Sequence, residues 1–204
     1  TSYNDTVDGI DISYVAIKFT DDSTITFYQY TEVDVLLLGG GGGSGSGGYN
    51  YSVGNNGHAG GGGGGGGGGV LIAEAVEFTT NVTNNITVGD GGQAVNMYWT
   101  NTNRLTNSTG GDTRIVEDGG YGYYMDVSGG GAGASVSSSS DLAMRVGGSG
   151  GSGGGGGWYN SGNVNYSGGS AVDGTISYSN TIATFHGFRG RNGREFGSQD
   201  VGGG

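Results

Sequence analysis

Ten aromatic residues sit in the joints beside or between blocks of glycine: Tyr49, Tyr51, Tyr98, Trp99, Tyr121, Tyr123, Tyr124, Trp158, Tyr159 and Tyr166. Asn, Ser and Thr are mixed among them. An aromatic ring with a polar handle covers much area at little cost in rotamer entropy and still hydrogen-bonds. That suits recognition of a sugar face with its hydroxyl rim, or of a protein epitope. The same rings would serve equally as lids over backbone that has no side chains of its own. Trp99 and Trp158 stand in otherwise polar surroundings and are the strongest recognition candidates. Arg189, Arg191 and Arg194 form the one positive cluster of the chain. They could grip a phosphate or carboxylate on a target, or pair with Glu195 and Asp200 on a solvated face.

Chemistry beyond binding finds little support. His58 and His186 are the only histidines, and no second ligand lies at zinc-site spacing from either. The HxxxH and Walker patterns are missing, and serine is too abundant for any one Ser-His-Asp set to stand out. Glu74 and Glu77 fall on opposite faces of a regular strand, so they do not form an acid–base pair. Glycine-rich phosphate nests need a lysine that these tracts lack. Without cysteine there is no disulfide, zinc thiolate or redox centre. Neither catalysis, a metal nor a cofactor is expected. A net charge of -11 argues against nucleic acid and anionic membrane surfaces as partners. No run approaches eighteen apolar residues, so no helical membrane insertion is expected. The chain starts at Thr1 without a signal peptide, which fits a piece of a longer polypeptide.

The elements that must position these residues are unusual. Glycine makes up 53 of 204 residues, with ten in succession at Gly60–Gly69 and further tracts at 39–43, 129–133, 147–157 and 202–204. Only 32% of the chain is apolar, so a conventional core is hard to supply. An α-helix through a glycine run costs roughly 1 kcal/mol per residue relative to alanine. The alternatives are a flexible linker or an extended threefold helix, whose N–H and C=O groups must pair with neighbouring segments wherever they are buried. Several tracts, separated by segments long enough to turn back, favour the second.

Residues 1–38 are rich in Val, Ile, Thr, Phe and Tyr and predict two or three antiparallel strands, the last ending apolar at Val35–Leu38 and buried at the base of the glycine layer. Residues 70–89 predict β structure with a hairpin about Asn84–Asn85; 93–100 and 175–188 predict further strands. The predicted fold is therefore glycine-rich: packed polyglycine II helices with irregular loops over 39–204, preceded by a small antiparallel β region over 1–38.

The junctions EVDVLLLGGGGGSGSGGYN and, around the ten glycines, GHA before Gly60 and VLIAEAV after Gly69 resemble the glycine-rich domains of bacteriophage tail-fibre and adhesin proteins. In the distal adhesins of T-even-like phages, such motifs form a sandwich of polyglycine II helices whose intervening loops contact the bacterial receptor. The resemblance implies tip loops drawn from 49–59, 98–112, 121–128, 134–146 and 158–173. It implies a non-catalytic host-recognition domain at the tip of a virion's tail fibre. Its partners would be a bacterial surface glycan or outer-membrane protein, and other fibre subunits, for instance in a homotrimer. The alternatives are a structural fibre or virion-decoration component, and an ice-binding glycine-helix bundle. The long irregular joints argue against the last.

Overall fold

Short runs of alternating aliphatic residues form the strands of two antiparallel sheets. The computed structural model describes residues 2–7, 9–50, 58–60, 62–94, 108–119, 124–135, 146–159, 164–177, 182–192, 194–196 and 199–201. A first hairpin pairs β1 (Ser2–Val7) with β2 (Ile10–Val15). Next come β3 (Ser23–Thr26), β4 (Glu32–Leu38), β5 (Gly48–Asn50), β6 (His58–Gly60), β7 (Val70–Glu77) and β8 (Thr83–Thr87). They are followed by β9 (Thr113–Glu117), β10 (Tyr124–Val127), β11 (Trp158–Tyr159) and β12 (Val164–Asn165). The last four are β13 (Thr175–Ile176), β14 (Ile182–His186), β15 (Arg194–Phe196) and β16 (Gln199–Val201). Five strands form one sheet in the order β13-β10-β9-β8-β3, and three form the other in the order β14-β7-β4.

The two sheets share one core. Leu37, Leu71, Ala73 and Val76 come from the three-stranded sheet; Ile86, Ile115, Met125 and Val127 come from the five-stranded one. Phe27 and Phe78 stack with ring centroids 5.0 Å apart and close the core beyond the ends of β3 and β7.

This architecture corrects the expected fold class. Among the described residues there is no helix, and the protein is all-β with two antiparallel sheets rather than a polyglycine II helix domain behind a small β region. The low apolar content misled because nine buried residues suffice for a thin two-layer core. The strand at Thr113–Glu117 and its hairpin partner β10 were not anticipated. The turn expected at Asn84–Asn85 lies earlier, before Thr83, where Asn81 takes a positive φ of 61° and donates its N–H to Phe27 O. Asn84 is buried within β8 instead. Of the expected strand at 93–100, Gln93 and Ala94 are in no strand, and the rest lies outside the described residues.

A bulge also resets the alternation of β7. Val33 pairs with Val76 but Val35 pairs with Ala73, so Glu74 and Ala75 together oppose Asp34. Ala75 adopts φ 54°, and its N–H donates to the Asp34 carboxylate at 3.0 Å. In consequence Glu74 and Glu77 are both exposed on the outer side of the sheet, not on opposite faces. The apolar end of β4 is likewise only half inside: Leu37 is buried, whereas Leu36 and Leu38 are 60% and 56% exposed.

Glycine segments continue the strands from one end of the sandwich. Segment 39–47 leaves β4, 62–69 enters β7, 89–94 leaves β8, 108–112 enters β9, 128–135 leaves β10 and 187–192 leaves β14. Strand pairing aligns Leu38, Val70 and His186 in one sheet, and Thr87, Arg114 and Val127 beside Thr113 in the other, so all six junctions share that end. Thr113 ties the two sheets together there. Its buried hydroxyl donates to Leu38 O at 2.7 Å and accepts the Gly89 N–H at 2.9 Å.

Beyond the junctions the segments bond to one another. Gly39, Gly42 and Gly45 donate to Gly69, Gly66 and Gly63; these three donate in turn to Ser128, Gly131 and Ala134, at 2.7–2.9 Å throughout. Gly40 and Gly43 donate to Gly111 and Ser108 and accept from Gly130 and Gly133. Gly41 accepts from Gly92, so this one segment is tied to four neighbours, with a repeat of three residues where a β-ladder repeats every two. Such approach requires bare backbone. A Cβ on Gly42 would collide with the Gly131 carbonyl, and one on Gly66 with that of Ser152. At Gly67 the nearest atom would be 4.0 Å away.

Two stability predictions follow from these contacts. Gly42→Ala or Gly66→Ala should lower unfolding free energy by about 1–3 kcal/mol, while Gly67→Ala should stay within about 0.5 kcal/mol of wild type. Denaturant midpoints measure both, and equal effects at all three sites would contradict the packing. Thr113→Val should cost roughly 1–3 kcal/mol, because it removes the hydroxyl that joins the half-buried Gly89 N–H to the Leu38 C=O at the sheet junction.

Candidate functional site

The glycine segments run outward from the sandwich and back, so what lies between them is carried to the far end. Segment 39–47 leads out to β5, and 62–69 returns from β6. The segment 147–157 itself doubles back. Gly148 and Gly151 pair antiparallel with 128–135, through Ala132 O and Gly129 O, and Gly131 and Ala134 pair parallel with Ser152 and Gly155. The chain therefore turns at Gly151–Ser152 near the sandwich and runs outward again to β11. Segment 187–192 runs parallel to it, with Gly153 and Gly156 donating to Phe188 O and Arg191 O, and leads to β15.

Three hairpins thereby meet: β5–β6, β11–β12 and β15–β16, with β6, β11 and β16 in mutual contact. This is the candidate site. Tyr49 lies in β5, and Trp158 and Tyr159 lie in β11, paired with Asn165 and Val164. Arg191 is joined through its carbonyl to Gly156, two residues before Trp158. Arg189 and Arg191 are both exposed, and among the described residues neither joins an ion pair. Tyr166 follows β12 and is buried at 8% exposure, with its backbone against Gly156, so it packs the layer rather than facing a ligand.

Tyr124 belongs elsewhere. It begins β10, at the end of the sandwich opposite the glycine junctions, and is not brought together with the others. Burial first, and then a hydrogen bond with Asp126, raise its phenol above the ordinary tyrosine value. Tyr51, Tyr98, Trp99, Tyr121 and Tyr123 lie outside the described residues. The described ends flanking 95–107 and 136–145, at Ala94, Ser108 and Ser135, are the outer ends of their glycine segments.

The terminal hairpin β15–β16 is the part of the site that the sequence did not lead one to expect. Its signal was present. Arg-Glu-Phe and Gln-Asp-Val are separated by two residues, Gly-Ser, a spacing that favours a tight hairpin.

A separate depression of about 480 Å³ lies at the sandwich junction, lined by Asp21, Asp22, Asp90, Asp112 and Arg114 among others. Its carboxylates have structural tasks. Asp22 accepts the Val88 N–H at 2.9 Å, and Asp112 accepts the Gly129 N–H at 3.0 Å while facing Arg114 at 3.5 Å. Among the described residues no group of three acids or histidines is arranged to hold a metal ion.

A family model described as a glycine-rich domain matches residues 19–204. No curated protein and no solved structure matches the chain.

Tyr124 supplies a pH test. Its raised value means that its contribution to stability is complete below about pH 10, the unfolded value, and is lost as pH rises through the folded value. Tyr124→Phe should therefore lose less stability than wild type between pH 9 and pH 11, read from urea midpoints. Identical losses would show that burial and the Asp126 contact do not raise the Tyr124 phenol.

Proposed function

The chain belongs to the glycine-rich domain family, and from that premise we propose that it is a non-catalytic receptor-binding domain at the tip of a bacteriophage tail fibre. Its target is a bacterial surface glycan or outer-membrane protein. The observation that carries this reading is the convergence of the β5–β6, β11–β12 and β15–β16 hairpins at the end remote from the sandwich. A rigid layer that needs glycine at its contact positions leaves little freedom inside, whereas hairpins at its rim can change sequence without disturbing it. That division suits a surface that must match varied receptors.

Within the site, Tyr49, Trp158, Tyr159, Arg189 and Arg191 are the proposed contacts. Aromatics and arginine are the residue types that most often dominate binding energy. Several copies on one virion would compensate for weak single-site affinity.

Fluorescently labelled protein, applied to a panel of bacterial strains and to an array of bacterial surface glycans, should bind a subset of them. Trp158→Ala and Arg191→Ala should each weaken that binding about tenfold or more, with the melting temperature unchanged. Binding that persists after 158–165 is replaced by a Gly-Ser stretch of equal length would contradict the proposal. So would binding to none of the surfaces.

A further inference from the structure

Segment 187–192 runs along the side of the glycine layer with its glycines turned inward. A Cβ on Gly187 would collide with the Gly151 carbonyl, and one on buried Gly190 with that of Gly154. The other two residues of each three face outward. Phe188, Arg189, Arg191 and Asn192 are all exposed, Phe188 at 77%. The backbone that carries them is held on two sides. Phe188 O and Arg191 O each accept an N–H at 2.8 Å, from Gly153 and Gly156, while Gly190 donates to Gly169 O at 2.9 Å. Asn192 Oδ1 accepts the Gly168 N–H at 3.1 Å. Phe188 and Arg191 thus repeat one contact a turn apart and stand on the same side of the segment, about 9 Å from each other at three residues per turn.

The sequence alone left the arginines two partners, an anion on a target or the acids of the chain itself. With 18 acidic residues against 7 basic ones, a carboxylate is easily found. Arg114 faces Asp112 at 3.5 Å, yet among the described residues Arg189 and Arg191 have no such partner. The next acids in the sequence, Glu195 and Asp200, lie beyond the segment as cross-strand partners of each other in β15–β16.

We propose that Phe188, Arg189 and Arg191 form an anion-binding strip, and that the group it takes is a sugar bearing phosphate or carboxylate on the bacterial surface. This rests on the receptor-binding reading and gives that receptor its chemistry. The guanidinium groups grip the acid through paired N–H bonds, and the Phe188 ring covers the C–H face of the sugar beside it. A backbone already fixed on both sides loses little freedom when the arginines engage. The charge along the molecule agrees. Glu32 and Glu77 are exposed at the end of the three-stranded sheet remote from the glycine layer, and the arginines lie outward along that layer. An anionic surface therefore repels the sandwich end and attracts the strip.

Biolayer interferometry on the full chain tests this against immobilised polygalacturonate, a poly(glycerol phosphate) teichoic acid and neutral dextran. One anionic polymer at least should bind about tenfold or more tightly than dextran, and its identity separates carboxylate from phosphate. Its binding should weaken about fivefold or more between 50 and 200 mM salt. Arg189→Gln with Arg191→Gln should abolish both the preference and the salt dependence, whereas Arg189→Lys with Arg191→Lys should keep part of each. Phe188→Ala should weaken binding several-fold and leave the salt dependence intact. All three positions are exposed, so melting temperatures should not change. Equal binding to all the polymers, binding to none, or a Gln pair that binds as wild type does would overturn the inference. Bacterial cells bound with no effect of salt or of the Gln pair would also overturn it, and would leave the receptor reading standing. Polymer binding without any cell binding would uphold the strip and remove that reading.

Discussion

The whole structure depends on how closely two backbones approach when neither carries a side chain. In the glycine layer each segment uses its N–H groups at every third residue on a given neighbour, so that Gly39, Gly42 and Gly45 meet 62–69 while Gly40 and Gly43 meet 108–112. A single methyl group on Gly42 would occupy the place of the Gly131 carbonyl. Each such bond contributes about 1 kcal/mol net, against roughly 1–2 kcal/mol to fix one residue of backbone. A glycine segment cannot hold itself in place on those terms. It needs its ends fixed.

The sandwich fixes them. Six junctions between strands and glycine segments lie at one end of the two sheets, and Thr113 locks three of them by bonding both Leu38 O and the Gly89 N–H. A thin apolar core is enough for this task because the glycine layer adds cohesion of a different kind, backbone to backbone. The two layers therefore divide the work. Hydrophobic burial sets the direction in which the segments leave, and hydrogen bonding keeps them together until they reach the hairpins. The side chains of those hairpins are carried by the layer and not dictated by it.

The positions of the glycine segments could be read from the residues, and less of the fold built around them. Val70–Glu77 and Glu32–Leu38 announced themselves as strands through aliphatic and β-branched content. Thr113–Glu117 did not, because it sits between polar and glycine-rich stretches and offers only Ile115 and Val116 as signals. Glycine abundance drew attention away from the few alternating residues that build both sheets. The bulge at Ala75 was hidden for another reason. A left-handed alanine contradicts local preference and is fixed by Asp34 from a different strand. Trp158 and Tyr159 directly follow segment 147–157 in the sequence, and that segment runs outward to them. Tyr124 was grouped with them by proximity to glycine in sequence, yet its strand runs toward the glycine layer and starts at the opposite end.

Amide hydrogen exchange, resolved residue by residue, tests the central claim most directly. Bonds made at every third residue predict slow exchange at Gly63, Gly66 and Gly69, which donate to 128–135, and fast exchange at exposed Gly65 and Gly67 between them. Protection rising and falling with a period of three would support a layer held by backbone pairing between segments. Uniformly fast exchange across 62–69, with the sandwich strands still protected, would contradict it.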